Sequence, residues 1–317
     1  MLSKKTKILI IGFGSIGQRH YKNLRNLGFK NIRIYDVNKD LIKGKNLIKS
    51  INKKELQNFD VAFICSPNHL HIKHALACAN AGCDLFIEKP LSHSLKDIKK
   101  LENLCKKNKL INLVGCNMRF HPCLEFIKKY LDSKKLGKIY SIDHEVGHYL
   151  PNWRKGKDYR KNYAAKKSTG GGIIFDSVHE FDLLFWLNNF FDVVDSKFIF
   201  DKVGDLDIQT EDICRAIFKF KNNVFGSVHC DYLQKTYSRS CKIIGDKANL
   251  EWDFNENTVW LLSEKSKKRL FFIKNYNLNE MYVDEIKYFF DCINKRKNAF
   301  NDIKIAGKVL EYCVKRV

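Results

Sequence analysis

The chain has 317 residues, of which 44% are hydrophobic, and this is enough to bury the cores of two ordinary domains. No apolar stretch approaches the roughly 20 residues that span a bilayer, and the run after the first lysines is too short for a signal peptide, so we predict a cytoplasmic protein without a membrane partner. The formal net charge of +22 comes largely from lysines spread along the whole chain. No basic run is combined with a nucleic-acid recognition motif, and this argues against a nucleic-acid partner.

The eleven cysteines are scattered along the chain, odd in number and without a C-x-x-C pair. This pattern favours reduced, buried thiols over a disulfide framework or a zinc site. Three histidines lie close together at His69, His71 and His74, but no cysteine or carboxylate stands at a spacing typical of a shared ion. We therefore predict that the protein binds no metal.

Short apolar runs alternate with longer amphipathic stretches in the first third of the chain. Such alternation predicts parallel strands joined by right-handed helical crossovers, that is, a doubly wound α/β sheet of the Rossmann type. We place this first domain at residues 1–118. Its predicted strands are 8–11, 32–35, 61–65, 85–87 and 110–115.

The turn after the first predicted strand reads Gly12-Phe13-Gly14-Ser15-Ile16-Gly17, which matches G-x-G-x-x-G. Gly12 allows the tight turn, Gly14 lets the backbone approach a pyrophosphate, and Gly17 lets helix and strand pack closely. The second predicted strand ends at Asp36, about 20 residues further on, where a carboxylate binds the ribose hydroxyls of NAD and repels the 2′-phosphate of NADP. Turn glycines and a solvated aspartate are the alternative, but their order after a strand predicts an NAD site, with NADP disfavoured.

Beyond residue 118 the pattern changes to apolar runs with a period of two. Turn signals such as Lys221-Asn222-Asn223 separate these runs, so consecutive strands are predicted to pair antiparallel. One face of such a sheet needs a cover, and two predicted helices, 122–133 and 172–188, are available. We place this second, α+β domain at residues 119–317; its last two helices, 281–294 and 303–314, can pack back on the first domain. The predicted strands are 139–146, 193–200, 213–220, 224–233, 239–244, 248–253, 258–262 and 269–273.

Two segments of the first domain are predicted to reach the sheet edge where doubly wound folds hold ligands. Glu88-Lys89-Pro90 follows the fourth strand, and a lysine there can stabilise the alkoxide that forms as hydride leaves. Cys65-Ser66-Pro67-Asn68-His69-Leu70-His71 follows the third strand, and Asn68 can bond a nicotinamide carboxamide or ribose. The alternatives are a surface lysine in the first case, and helix capping and packing in the second.

A cluster in the second domain runs from Gly170-Gly171-Gly172 to Asp182. Three glycines let the backbone pass close to a ligand before a helix begins. On a single helix, Asp176, His179 and Asp182 share roughly one face, so that a carboxylate can orient an imidazole that accepts a hydroxyl proton. The alternative is a polar stripe on a helix whose other face is core.

A loop between Tyr149 and Lys167 is rich in aromatic and cationic side chains. Aromatic faces stack on sugar rings, and arginine forks hold carboxylates or phosphates. A surface loop with chance aromatics is the alternative. The candidates for substrate contacts in this loop are Trp153, Arg154, Arg160 and Tyr163.

The order of these motifs, from the glycine fingerprint through Glu88-Lys89-Pro90 to the glycine run before Asp176 and His179, resembles the Gfo/Idh/MocA oxidoreductase family over nearly the whole chain. The resemblance implies a Rossmann domain joined to a domain with a large open, mostly antiparallel sheet. It also implies NAD(P)-dependent oxidation or reduction of sugars, cyclitols or their derivatives, in a homodimer or homotetramer. By match, Lys89 is the catalytic lysine and His179 the general base. Many members place the aspartate four residues before the histidine, whereas Asp176 stands three before it.

We accordingly assign candidate site residues in three groups. The catalytic group is Lys89, His179 and Asp176. The cofactor group is Gly12, Phe13, Gly14, Ser15, Ile16, Gly17, Asp36, Cys65, Ser66, Pro67, Asn68, His71, Glu88, Lys89 and Asn117. The substrate group is Lys89, Arg119, Trp153, Arg154, Arg160, Tyr163, Asp176 and His179.

The segments 149–154 and 158–160, with His179-Glu180, further resemble a subgroup found in bacterial clusters for surface glycans and nine-carbon acidic sugars. We predict an NAD-dependent sugar dehydrogenase or reductase. Two alternatives stay open. One is an enzyme that recycles NAD within its site while cleaving or epimerising a glycoside. The other is a non-catalytic sugar-sensing regulator, against which the presence of both Lys89 and His179 argues.

Overall fold

The computed structural model describes residues 5–42, 46–153, 156 and 158–314. These residues form two compact units. The first unit comprises the chain through Asn117 and again from Asn279 onward, so it includes the final helices. The second unit is Met118–Leu278.

The strands are β1 (Ile8–Ile11), β2 (Ile32–Tyr35), β3 (Val61–Ile64), β4 (Asp84–Ile87), β5 (Asn112–Val114), β6 (Ile139–Gly147), β7 (Val193–Asp201), β8 (Ile213–Phe220), β9 (Phe225–Asp231), β10 (Ser238–Gly245), β11 (Asn249–Asp253), β12 (Thr258–Ser263) and β13 (Ser266–Phe272). The α-helices are α1 (Ser15–Asn26), α2 (Lys53–Leu56), α3 (His71–Ala81), α4 (Ile98–Lys107), α5 (Pro122–Asp132), α6 (Leu150–Trp153), α7 (Ile173–Asp176), α8 (Val178–Leu187), α9 (Asn279–Lys295) and α10 (Ile303–Val314).

The first unit is built on a parallel five-stranded sheet in the order β2-β1-β3-β4-β5. β1, β3 and β4 are buried along their whole length, as expected for strands covered on both faces. The chain moves from β1 outward to β2 and then returns to the other side of β1 to form β3. The order therefore reverses between β1 and β3, and the carboxyl ends of those strands mark the crevice where such sheets bind ligands.

The second unit is built on an eight-stranded sheet in the order β13-β12-β11-β10-β6-β9-β8-β7. All neighbouring strands pair antiparallel except β6 and β9, which run parallel. Helix α8 packs on β6 and β9, while α5 packs on β12 and β13. Gly226 on β9 allows this close approach, because a Cβ there would lie 2.7 Å from a methyl carbon of Leu184 on α8. The predicted fold class is confirmed, and the two helices cover one face as expected.

One predicted helix is broken. The stretch 172–188 forms two helices, α7 and α8, separated by Ser177 with φ −95° and ψ 22°. The apolar residues expected in its core are buried: Val178, Phe181, Leu184 and Phe185.

Aromatic and sulfur-containing side chains fill both cores. Phe63, Phe86, Phe289 and Phe290 pack together in the first unit, with the rings of Phe63 and Phe86 stacked at 4.7 Å. All eleven cysteines are buried thiols outside any disulfide. Within the described ranges, no helix combines the length and apolar character required to cross a membrane.

Candidate active site

The three glycines of the fingerprint have three different surroundings, and each suits a nucleotide. Gly12 has a φ of +97°, and a Cβ there would lie 2.5 Å from the carbonyl carbon of Cys65, so only glycine fits this turn. A Cβ at Gly17 would collide with the carbonyl oxygen of Gly12. Gly14 faces open space, with no heavy atom within 4 Å of an added Cβ. This open side at the start of α1 is where a pyrophosphate can approach free N–H groups.

Asp36 at the end of β2 is joined to that loop. One carboxylate oxygen accepts a hydrogen bond from the backbone N–H of Phe13 at 2.6 Å, and the other accepts one from the backbone N–H of Asn38 at 2.8 Å. The side chain therefore holds the glycine loop while its remaining lone pairs are available to ribose hydroxyls. The neighbouring Val37 is 86% exposed, so the strand end is open to a ligand.

The segment after β3 is held from behind by His71. This side chain is 1% exposed, and its two ring nitrogens lie 2.6 Å from the carbonyl oxygen of Ser66 and 2.8 Å from that of Pro90. Burial lowers the pKa of His71. The sequence pattern placed this ring at the cofactor, but its burial leaves it almost no surface for a ligand. Its observed role is to tie the segment after β3 to the segment after β4.

The end of β4 carries a buried acid followed by a half-buried lysine. Glu88 is buried, and its carboxylate contacts Nε2 of His20 at 2.5 Å. The Lys89 side chain is partly exposed at the same sheet edge as the glycine loop, because all five strands are parallel.

Asn117, after β5, is buried at the same edge. Cys65, Ser66 and Asn68 are also buried, whereas Pro67 is exposed.

In the second unit, the triple-glycine run is held against buried chain. A Cβ at Gly171 would collide with the carbonyl oxygen of Tyr163, and one at Gly172 with the Glu211 carboxylate. Gly172 also has a φ of +116°. The Glu211 carboxylate accepts a hydrogen bond from the N–H of Ile174 at 3.1 Å, and burial raises the pKa of Glu211. These contacts fix where α7 begins and therefore where Asp176 lies.

Asp176 is the acceptor for two tyrosines. The hydroxyl of Tyr163 donates to one carboxylate oxygen, and the hydroxyl of Tyr232 donates to the other at 2.6 Å. Burial raises the pKa of Tyr232 well above its usual value, with the Asp176 charge adding to the effect, so this hydroxyl keeps its proton. Tyr232 was missed from sequence, since it follows β9 in no recognisable motif. His179 lies one turn further on, buried at the start of α8.

Two candidates from the sequence lie in the core of this unit. Arg119 is 2% exposed and forms a two-pronged pair with Asp182 at 2.5 and 2.8 Å, with its guanidinium over the ring of Phe190. Arg119 was expected to touch substrate, but this pairing holds it within the core. Asp182, three residues after His179, has both of its carboxylate oxygens bound by Arg119.

In the loop between Tyr149 and Lys167, the structure describes all residues except 154, 155 and 157. The Trp153 ring is 51% exposed and lies against His148 and Tyr237, with centroids 4.2 and 6.1 Å away. Arg160 pairs with its neighbour Asp158 at 2.8 Å on the surface. Arg154 lies outside the described residues. Across the part of the chain that the structure describes, no group of three or more His, Cys, Asp or Glu side chains is arranged to hold a metal ion.

Two family models match this chain. Residues 6–116 match the model described as an oxidoreductase family with an NAD-binding Rossmann fold, and residues 124–251 match the GFO/IDH/MocA C-terminal domain. The chain belongs to the Gfo/Idh/MocA family. The resemblance seen in the motifs is thereby confirmed, and this family member is an NAD-dependent oxidoreductase whose first unit is an NAD-binding domain.

Several relatives of this Gfo/Idh/MocA member have names that state an activity. It is 26% identical to the myo-inositol 2-dehydrogenase of Thermotoga maritima, over 89% of this chain and 86% of the relative. It is 24% identical to the glucose-6-phosphate 3-dehydrogenase of Bacillus subtilis, over 81% of this chain and 77% of the relative. Levoglucosan dehydrogenase in complex with NADH has the same fold, with a TM-score of 0.85, 17% identity, and coverage of 98% of this chain and 96% of that one.

Proposed function

We propose that this protein oxidises or reduces one carbon of a sugar, a cyclitol or a derivative of these, at a secondary hydroxyl or its ketone. The observation that carries the proposal is the sheet edge of the first unit, where a glycine loop open to a pyrophosphate and the partly exposed Lys89 lie at ends of parallel strands. The names of the relatives support this substrate class, since they act on inositol and glucose 6-phosphate.

The proposed chemistry assigns one task to each side chain. His179 accepts the hydroxyl proton, and the Lys89 ammonium stabilises the negative charge of the developing alkoxide. Bound NAD supplies the hydride acceptor. Residues 12–17, Asp36, Ser66, Asn68 and Asn117 hold the nucleotide. Asp176 orients the Tyr163 hydroxyl, which it binds directly, toward the substrate.

The finer substrate class follows from charge. Lys161, Lys166 and Lys167 are exposed in the loop that carries Trp153, and the whole chain has a formal charge of +22. Cations focus anionic ligands, and the exposed indole face can stack on a ring. We therefore propose an acidic or nucleotide-linked sugar, as in surface-glycan pathways, with Trp153, Arg154, Arg160 and Tyr163 as contacts.

The first experiment is a fluorescence titration of the purified protein with NADH and NADPH, followed by a panel of neutral sugars, acidic sugars and nucleotide sugars with NAD. We expect NADH to bind at least about tenfold more tightly than NADPH, since Asp36 repels a 2′-phosphate. One sugar class should yield NADH. Failure of the folded protein to bind either nucleotide would overturn the proposal. Tight binding with product but no net NADH would instead indicate internal recycling of the cofactor.

We also propose a cytoplasmic homodimer or homotetramer that uses the uncovered face of the second sheet. Eleven buried thiols suit a reducing compartment. Ile199, Ile217 and Phe225, on adjacent strands, are 75, 56 and 51% exposed on the face opposite α8. Burying them between copies removes apolar surface from water. Light scattering should give two or four chains for the wild type and a smaller assembly for Ile217→Glu; a monomeric wild type contradicts the proposal.

A further inference from the structure

The acid beside Lys89 is paired with a histidine that lies 68 residues earlier in the chain. Nε2 of His20, on α1, lies 2.5 Å from Oε1 of Glu88, and the two side chains are 0 and 10% exposed. The other oxygen of Glu88 accepts a hydrogen bond from the backbone N–H of Lys89 at 3.2 Å. The carboxylate is thus bonded to the backbone of the lysine that the proposed reaction needs.

The surroundings of His20 leave it one polar partner. Its ring packs against Phe63, Phe86 and Tyr282, with centroids 5.0 to 6.2 Å away. Its Nδ1 is buried and has no hydrogen-bond partner among the described residues. A neutral ring that carries its proton on Nε2 satisfies this arrangement, because it donates to Glu88 and buries only a bare nitrogen on the other side. His20 therefore acts as a donor to a carboxylate.

Burial and hydrogen bonding act in opposite directions on the pKa of the Glu88 carboxyl. Burial by itself would raise its pKa, but the hydrogen bond from His20, with the nearby Lys89 and His71, lowers the pKa below its usual value. The same negative charge adds to burial in raising the pKa of the Cys65 thiol well above its ordinary value. Gly115, directly after β5, lies close by, since a Cβ there would be 3.3 Å from Oε2 of Glu88. Without the hydrogen bond from His20, the Glu88 carboxylate would be a buried charge with one fewer hydrogen-bond donor to stabilise it.

We propose that His20 is a positioning residue that keeps Glu88 in its carboxylate form at the Lys89 end of β4, and that this buried negative charge favours binding of NAD⁺ over NADH. The inference rests on the proposed function of that strand end. The oxidised nicotinamide ring carries a positive charge and the reduced ring does not, so a fixed anion in a poorly hydrated setting discriminates between them. His20 also lies on α1, so the helix that begins at the glycine loop carries the residue that binds Glu88.

The test measures the dissociation constants of NAD⁺ and NADH by calorimetry, with thermal unfolding of each variant. His20→Leu removes the donor, His20→Gln keeps an N–H donor near the position of Nε2, and Glu88→Gln removes the charge directly. His121→Leu is the matched control, because His121 is equally buried and bonds a side chain, Asn257, in the second unit. We expect His20→Leu and Glu88→Gln to shift the NAD⁺-to-NADH affinity ratio about tenfold toward NADH. His20→Gln should stay within about twofold of wild type, and His121→Leu should lower stability without changing the ratio.

Each other outcome has a definite meaning. An unchanged ratio in Glu88→Gln, or equal weakening of both nucleotides in His20→Leu and Glu88→Gln, overturns the inference, because the pair would then only maintain structure. A His20→Gln variant as impaired as His20→Leu excludes the donor role. If His20→Leu does not fold, Glu88→Gln still decides the charge effect. A wild type that binds neither nucleotide fails at the proposed function itself, and the inference falls with it.

Discussion

Lys89 and His179 are assigned different roles in the proposed reaction, so substituting each of them is the most direct test of the proposal at the scale of single residues. Lys89→Ala removes the cation that stabilises the developing alkoxide, and His179→Ala removes the proton acceptor. We expect each to lower kcat by at least about 100-fold with the substrate found in the sugar panel, while NADH binding changes little. Lys106→Ala on α4, an exposed lysine, is the control and should keep wild-type turnover. Two folded variants with near wild-type kcat would refute the assignment.

Residue roles in the second unit were only partly readable from sequence. The spacing of Asp176 and His179 indicated a carboxylate that orients an imidazole, but the structure gives the carboxylate two tyrosine partners, 13 and 56 residues away. Arg119 looked like a cation available to substrate until its pairing with Asp182, 63 residues away, was visible. Motif spacing describes neighbours along the chain, whereas the partner of a buried charge is set by tertiary packing. This is why the candidates were found but not all their functions.

Elements built on local signals were predicted closely. β1, β2, β8 and α10 begin and end at the predicted residues, because apolar periodicity and turn residues are local properties. The interruption at Ser177 was not predicted, since an amphipathic pattern runs through it. Contacts distant in sequence supply the reason: Glu211 fixes the start of α7, and the two tyrosines hold its last residue. The parallel pairing of β6 with β9 was also missed, as turn signals report only on consecutive strands.

The loop before α1 offers a test at the scale of one element. Gly14 has φ −66° and ψ −165°, which alanine adopts, and no atom lies near its absent Cβ. We expect the stability of Gly14→Ala to stay within about 0.5 kcal/mol of wild type, yet NADH should bind at least about tenfold more weakly, because the methyl group occupies the approach of the pyrophosphate. Gly12→Ala is the matched contrast: positive φ and the contact with Cys65 should cost it about 1–3 kcal/mol. Calorimetry with chemical denaturation measures both, and undiminished NADH affinity in Gly14→Ala would rule out this path for the phosphates.

For the whole molecule, the order of the motifs was enough to predict two domains and the family. The glycine fingerprint, Glu88-Lys89-Pro90 and the glycine run before Asp176 each follow a recognisable element. What that order could not supply is the set of buried polar groups that join distant elements. His20 with Glu88 and Arg239 with Glu180 are examples, and the latter pair lies 59 residues apart at 2.5 Å. A histidine or arginine in a sequence can pair with many different groups, and only the packing of the fold determines which group it meets.

Buried histidines in both units make stability depend on acid. Burial is the main cause that lowers the pKa of His74 and His121 to about 4 and that of His144 to about 3. The unfolded chain binds their protons near about pH 6.5, whereas the folded chain resists until far lower pH. The free energy of unfolding is therefore fully retained above about pH 6.5 and falls as pH drops toward 4, by roughly 1–2 kcal/mol per histidine at about pH 5.

His144 provides the clearest test of that dependence. Its two ring nitrogens have no hydrogen-bond partner among the described residues, and the nearby Glu180 carboxylate is bound by Arg239, whose charge further disfavours a protonated ring. His144→Leu removes the titrating group without removing a hydrogen bond. We expect its loss of stability between about pH 7 and pH 5 to be smaller than that of wild type by roughly 1–2 kcal/mol. Denaturant unfolding at both pH values measures the difference, and parallel losses in the two proteins would show that folding does not lower the pKa of His144.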